Sequence, residues 1–118
     1  MDTKNIGYLA EGFVSQHLEC VGFTILERNY RKSYGEIDII AHKNSLLIFV
    51  EVKMRINAYF DPAELITPSK QRKIIAVAQE YIDRKTNGNM DCRFDVALVE
   101  FENNEPHITY LTDAFGAS

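Results

Sequence analysis

Two acidic residues and a lysine lie close together in the sequence, at spacings that suit metal-dependent chemistry. Asp38 lies within residues 36–42, and Glu51 and Lys53 end the run over residues 45–53. Both runs are rich in aliphatic and β-branched residues, which favour strands. Joined by a tight turn, the two runs predict a β-hairpin that brings the two carboxylates together.

The register of this hairpin decides whether the charged side chains share a face, because side chains alternate between the two faces of a sheet. A two-residue turn at Lys43-Asn44 is predicted, since asparagine tolerates the positive φ of tight turns. Asp38 then faces Phe49 and shares a face with Glu51 and Lys53. The two carboxylates would lie about 7–8 Å apart on a diagonal. A three-residue loop would break this arrangement.

Paired carboxylates suit a hard, oxygen-seeking cation such as Mg²⁺ or Mn²⁺. Such an ion can bridge a scissile phosphate and lower the pKa of an attacking water. Lys53 could orient that water or offset charge in the transition state. The other interpretation is a solvated face on which Lys53 makes a surface salt bridge. Glu51 follows five consecutive apolar residues, and a buried carboxylate needs a partner, which favours the metal site.

A basic segment follows the predicted helix start at Thr67-Pro68, which is typical of an N-cap and a first-turn proline. Lys70, Arg72 and Lys73 lie in the first turns, where cations oppose the helix dipole. Such residues suit an external anion such as a phosphate. The alternative is a solvated basic turn.

The rest of the chain must position these residues. Apolar residues at spacings of three and four predict an amphipathic helix that stops at Gly22, and residues 23–30 predict a first strand. Residues 57–66 are predicted to be irregular or a short helical turn. Two further strands are predicted at residues 94–101 and 107–111, joined by a turn over residues 102–106. The order α-β-β-β-α-β-β predicts an α/β fold, with a mixed central sheet flanked by two main helices.

Two further acids allow two interpretations. Glu11 borders the apolar face of the first helix and could point toward the sheet as a third carboxylate, although a lone helical glutamate is usually solvated. Asp95 lies at the start of a predicted strand, a position typical of a cap or turn residue, and a functional role is the alternative.

Composition limits the class of protein. The chain has 118 residues and a net charge of −4, which indicates one domain and argues against a protein that coats nucleic acid through bulk charge. A local carboxylate cluster in a nuclease remains compatible with that charge. The longest apolar run, residues 46–50, is too short to span a membrane. With no basic, apolar leader at its start, the chain is expected to be cytoplasmic.

Two motifs resemble a known family. The run Gly35-Glu-Ile-Asp-Ile-Ile and the run Phe49-Val-Glu-Val-Lys-Met-Arg resemble the bacterial YraN-like family. The Asp…Glu-x-Lys arrangement is similar to archaeal Holliday-junction resolvases of the PD-(D/E)XK nuclease superfamily. Arg28-Asn29, Lys70 and Arg93-Phe94-Asp95 also match the family pattern, so the resemblance extends over most of the chain.

The resemblance implies a restriction-endonuclease-like fold over residues 1–118. It implies Asp38 and Glu51 as ligands of Mg²⁺ or Mn²⁺, Lys53 as the catalytic lysine and Glu11 as an accessory carboxylate. The expected activity is hydrolysis of phosphodiester bonds in branched or structured DNA.

The predicted phosphate contacts are Lys70, Arg55 and Lys73. Because a DNA junction is two-fold symmetric and one chain offers one cluster, cutting both strands would require a homodimer. No membrane partner is expected. A nucleic-acid-binding module that uses the same fold without hydrolysis is the alternative hypothesis.

Overall fold

The computed structural model describes the backbone of residues 3–54 and 66–116 and, within those ranges, the side chains from residue 6 onward. The helices and strands follow the predicted order α-β-β-β-α-β-β. They are α1 (Thr3–Cys20), β1 (Thr24–Lys32), β2 (Gly35–Lys43), β3 (Leu46–Met54), α2 (Pro68–Lys85), β4 (Asp91–Glu102) and β5 (Glu105–Phe115). The five strands form one sheet flanked by the two helices, which confirms the predicted mixed α/β fold.

The strand order in the sheet is β1-β2-β3-β4-β5. β3 and β4 are parallel, and each of the other neighbouring pairs is antiparallel. A parallel pair needs a crossover between its strands, and α2 lies in the connection from β3 to β4. In this strand order β3 is the central strand. Its residues contribute to hydrophobic clusters on both faces of the sheet. This explains its nearly continuous apolar sequence.

The first helix covers one face of the sheet. Ala10, Val14 and Leu18 recur every four residues, are fully or almost fully buried, and belong to the cluster on that face. The helix ends where Gly22 adopts a φ of 99° and Phe23 donates its N–H back to the Leu18 carbonyl at 2.9 Å. The predicted stop at Gly22 is confirmed, because glycine adopts this conformation without steric cost.

The second helix covers the opposite face. Its N-cap is Thr67, whose hydroxyl accepts the Lys70 N–H at 3.1 Å, and Pro68 takes the first helical position, as predicted. The buried residues of the helix are Ile74, Val77, Ala78 and Tyr81. Among the described ranges, no helix is both long and apolar enough to cross a bilayer.

The turn between β2 and β3 lies one residue later than predicted. Asn44-Ser45, and not Lys43-Asn44, forms the two-residue turn, with Asn44 at a φ of 55°. Ile40 instead of Asp38 therefore pairs with Phe49, so the predicted register is wrong by two residues. Because the shift is even, the side chains of the paired residues 39–43 and 46–50 keep the faces that were predicted for them.

The hairpin of β4 and β5 is tighter than predicted. Asn103 and Asn104 form its turn with φ values of 52° and 64°, so the longer turn predicted over residues 102–106 is wrong. Two consecutive positive φ angles match the twist of the flanking strands, and asparagine tolerates them. The predicted irregular segment at residues 57–66 lies, save for Ile66, outside the described residues.

Candidate active site

Asp38 and Glu51 meet where the pairing of β2 with β3 ends. The last backbone pair is Ile39 with Val50, so Asp38 and Glu51 are the first residues beyond it on each strand. There Asp38 Oδ2 accepts the Val52 N–H at 2.8 Å. Asp38 and Glu51 are only 7% and 5% exposed. The two carboxyl groups are close enough for the charge of Glu51 to act on Asp38.

The environment of Asp38 disfavours its charged form. Burial, followed by the negative charge of Glu51, raises the pKa of Asp38 to about 8, although the hydrogen bond from Val52 lowers it. The more distant charges of Glu11 and Glu36 act in the same direction as Glu51. A cation between the two carboxylates would remove the repulsion that raises this pKa.

Two lysines face Glu51. Lys70 Nζ lies 2.6 Å from Glu51 Oε1, and Lys53 Nζ lies 3.8 Å from the same oxygen. Burial and then the nearby Lys70 lower the pKa of Lys53. Burial also acts to lower the pKa of Lys70, but its hydrogen bond to Glu51 and the other contacts outweigh burial and raise it. Lys53 is therefore the lysine whose proton is more easily removed.

Glu11 comes toward the site from α1. Its Oε1 lies 3.8 Å from Arg28 Nη2, is buried, and has no hydrogen-bond partner among the described residues. Burial raises the pKa of Glu11, with smaller contributions from the charges of Glu36 and Glu51, while Asn29 and Arg28 lower it. Glu11 therefore points toward the sheet, within electrostatic reach of Glu51, but the described residues do not include a group of three carboxylates that could hold one ion.

Asn29 is a site neighbour whose role the sequence did not explain. It lies in β1 at the place opposite Asp38, between two regular pairs, and adopts a φ of 54°. Asparagine is among the few residues that adopt this left-handed conformation at low cost. Its side chain also lies close enough to Glu11 to lower the pKa of that carboxyl group. The backbone beside Asp38 needs a positive φ at residue 29, and this explains why an asparagine follows Arg28.

The predicted phosphate contacts lie at the start of α2. Lys70 and Lys73 line an open cavity of about 300 Å³ between the N-terminus of α2 and the turn before β2. A Cβ on Gly35 would lie 3.3 Å from Lys73 Cβ and from Val77 Cγ2, so glycine lets this turn lie against the helix. Arg55, the third predicted contact, lies outside the described residues.

Asp95 is a structural residue of the sheet. It is the fifth residue of β4 and is fully buried, so the prediction of a cap or turn at a strand start is wrong. Arg93 donates two hydrogen bonds to its carboxylate, both at 2.9 Å. The Tyr110 hydroxyl donates at 2.6 Å and the Asp113 N–H at 2.9 Å. Four donors of the same chain satisfy this carboxylate.

The donor set at Asp38 and Glu51 fits a small hard cation. The described part of the chain has no cluster of three or more His, Cys, Asp or Glu residues positioned around one point. Mg²⁺ keeps several waters and is commonly held by only one or two carboxylates. Two adjacent buried carboxyl groups, one with a raised pKa, therefore suffice as protein ligands.

The fold and the site together define a class of protein, a mixed α/β domain with a buried carboxylate–lysine cluster at the end of its central hairpin. The family model described as "Uncharacterised protein family UPF0102" matches residues 10–99, a span that includes Glu11, Asp38, Glu51 and Lys53 as well as Asp95. The chain therefore belongs to the UPF0102 family, and the YraN-like resemblance is confirmed at this level.

Individual relatives match over most of their length. A UPF0102 protein of Alkaliphilus metalliredigens is 44% identical over 114 residues, which cover 96% of this chain and 99% of the relative. One of Clostridium perfringens is 42% identical over 95% of this chain and 94% of its own. One of Dictyoglomus turgidum is 46% identical over 84% of this chain and 85% of its own.

Proposed function

We propose that this protein is a cytoplasmic, metal-dependent nuclease of the PD-(D/E)XK type that hydrolyses phosphodiester bonds in branched or structured DNA. The observation that supports this proposal is the cluster of Asp38, Glu51 and Lys53. Two buried carboxyl groups lie just beyond the last backbone pair of β2 and β3, and the lysine lies 3.8 Å from one of them. Buried acids at this density are costly unless they serve a ligand.

Asp38 and Glu51 would hold Mg²⁺ or Mn²⁺. When bound, the ion supplies Lewis-acid polarisation of the phosphate and a water of lowered pKa. The backbone N–H of Val52 fixes the Asp38 carboxylate for this role. Lys53, with its lowered pKa, would hold or accept a proton of the attacking water.

Lys70 and Lys73 would bind the phosphates that flank the scissile bond. Their position at the start of α2 adds the positive end of the helix dipole to their own charges. Lys70 is paired with Glu51 at 2.6 Å, so it would exchange a carboxylate for a phosphate when DNA and metal bind. Two copies of the chain would be needed to cut both strands of a symmetric junction.

Cleavage of labelled four-way junction, flap and duplex DNA tests this proposal. We expect products from at least one branched substrate with Mg²⁺ or Mn²⁺ and none with a chelator. Asp38→Ala and Lys53→Ala should each lower the rate by about 100-fold or more. Lys85→Ala, at the far end of α2, is the matched lysine control and should retain the rate. Failure to cut any substrate, or cleavage that survives both site variants, would refute the proposal.

One contact favours a second candidate, a nucleic-acid-binding module that does not hydrolyse its ligand. Lys70 already neutralises Glu51 at 2.6 Å, so the cluster is partly compensated without an ion. This candidate predicts salt-dependent binding without turnover. Asp38→Ala would leave its affinity unchanged or strengthen it, because a negative charge near the phosphates is lost. Metal-dependent product formation would exclude it.

A further inference from the structure

An exposed aromatic ring lies on α1, outside the carboxylate cluster. Tyr8 is 62% exposed, the largest value among the exposed large apolar side chains of the described residues. The Arg28 guanidinium carbon lies 4.7 Å from the centre of this ring, and Arg28 Nη2 donates to the Tyr8 carbonyl oxygen at 3.3 Å. The cation covers one side of the ring, and much of the ring remains open to solvent.

The same ring borders a shallow groove, which we call the Tyr8 groove. Its lining residues are Tyr8, Leu9, Gly12, Phe13 and Gln16, and its volume is about 250 Å³. A Cβ added at Gly12 would contact nothing within 4 Å. The absence of a side chain there keeps the groove open. Its walls are mainly apolar, and none of these lining residues carries a formal charge.

The Tyr8 groove is linked to the carboxylate cluster through Arg28. The guanidinium that covers Tyr8 also lies 3.8 Å from the buried Oε1 of Glu11. Glu11 in turn lies within electrostatic range of Asp38, so the Arg28–Glu11 pair joins the ring to the carboxylate cluster. A DNA strand held at Asp38 would reach the ring along this pair.

We propose that the Tyr8 groove binds one unpaired base of the DNA strand whose backbone lies at Asp38 and Glu51. This inference rests on the proposed function and adds to it a preference for substrates with an unpaired strand. Aromatic side chains are platforms on which unpaired bases stack, and Arg adds to such stacking. A base inside a duplex cannot reach the ring, because both of its faces are already stacked.

The size and charge of the groove favour a base over a protein partner. A cavity of about 250 Å³ lies below the range of ordinary small-molecule pockets, about 300–1,000 Å³, and matches a single flat ring system. A stable protein interface needs about 800 Å² on each partner. The cation beside the ring also complements the phosphate attached to the base.

The test compares two labelled DNAs of the same sequence, one with a single-stranded flap and one blunt, by fluorescence anisotropy in a chelator so that neither is cut. Tyr8→Ala should weaken binding of the flap DNA by about tenfold and of the blunt duplex by less than about twofold. Tyr8→Phe keeps the ring and should bind like the wild type. Tyr34→Ala removes a tyrosine that is 45% exposed elsewhere on the surface and should have no effect.

Several results would overturn this inference. Equal weakening of flap and blunt DNA by Tyr8→Ala, or no weakening, would do so while leaving the nuclease proposal intact. A second copy of the chain at the groove would appear in sedimentation as a dimer that Tyr8→Ala dissociates, and this outcome would also contradict base binding. If the wild type binds no DNA and cuts none, both the inference and the proposed function fail.

Discussion

Two buried carboxylate sites lie on neighbouring strands of the sheet and differ in how their charge is compensated. Asp95 in β4 pairs with Val50 in β3, and Glu51 is the next residue of β3. Asp95 receives four hydrogen bonds from Arg93, Tyr110 and Asp113. At the other site, burial and then the negative charge of Glu51 raise the pKa of Asp38.

The two sites also face different helices. Tyr110, which donates to Asp95, packs against the cluster that includes Ala10 and Val14 of α1. Glu51 contacts Lys70 of α2. A carboxylate with a complete set of donors from its own chain stabilises the fold. A pair of carboxyl groups that lacks such a set is better suited to bind an external ligand. Three variants test this difference between the two sites.

The largest expected effect is a loss of stability when Asp95 is replaced. Asp95→Asn removes the ion pair with Arg93 and leaves a buried donor without its acceptor, so we expect the free energy of unfolding to fall by about 3 kcal/mol. Urea denaturation followed by circular dichroism measures it. Asp91→Asn, at the exposed start of the same strand, is the control and should change stability by less than about 0.5 kcal/mol. A loss at Asp95 as small as that at Asp91 would contradict a structural role.

At Asp38, substitution is expected to raise the free energy of unfolding, by less than the substitution at Asp95 lowers it. The ordinary pKa of Asp38 is 3.8 and its pKa in the folded protein is about 8, so the folded state keeps a proton that the unfolded chain releases. Stability is therefore fully present below the ordinary pKa and is lost as the pH rises through the folded pKa.

The substitution Asp38→Asn introduces an amide that cannot ionise but can still accept the Val52 N–H. In a chelator, this variant should be more stable than the wild type, and its advantage should grow by about 2–3 kcal/mol between about pH 5.5 and about pH 9. Urea denaturation at both pH values measures the difference. A stability difference that does not change with pH would show that Asp38 is not held in a charge-repelling environment.

The smallest effect is expected on DNA affinity, at Lys70. A lysine that contacts one phosphate contributes about 1 to the slope of log affinity against log salt concentration, so Lys70→Ala should reduce that slope by about 1. The variant should also bind DNA a few fold more weakly at moderate salt. Lys85→Ala removes the same charge from the last turn of the same helix, about 20 Å away. Equal effects of the two substitutions would indicate a general charge effect and not a phosphate contact.

The fold was predictable because its signals are local. The Thr67-Pro68 start of α2 and the stop at Gly22 depend on neighbouring residues, and both are confirmed. The hairpin turn was placed one residue early because Asn44 can occupy either central position of a two-residue turn. The error left the site intact, since a register shift of two residues preserves the face of every side chain.

The contacts that distinguish the two carboxylate sites were not predictable in the same way. The partners of Asp95 include Tyr110 and Asp113, which lie 15 and 18 residues away and meet it only once β5 pairs with β4. Lys70 was predicted as a basic residue in the first turns of its helix, and its 2.6 Å contact with Glu51 depends on how α2 packs. Such contacts form only when the chain folds, so no spacing of residues in the sequence reveals them.

The central claim is that Asp38 and Glu51 form a cation site and Asp95 does not. Calorimetric titration of the chelator-treated protein with Mn²⁺ tests it most directly. We expect the wild type and Tyr110→Phe, which perturbs only the Asp95 site, to bind about one ion per chain with similar affinity. Asp38→Asn and Glu51→Gln should each lose at least about tenfold in affinity. Equal Mn²⁺ binding by all four proteins, or none by the wild type, would contradict the claim.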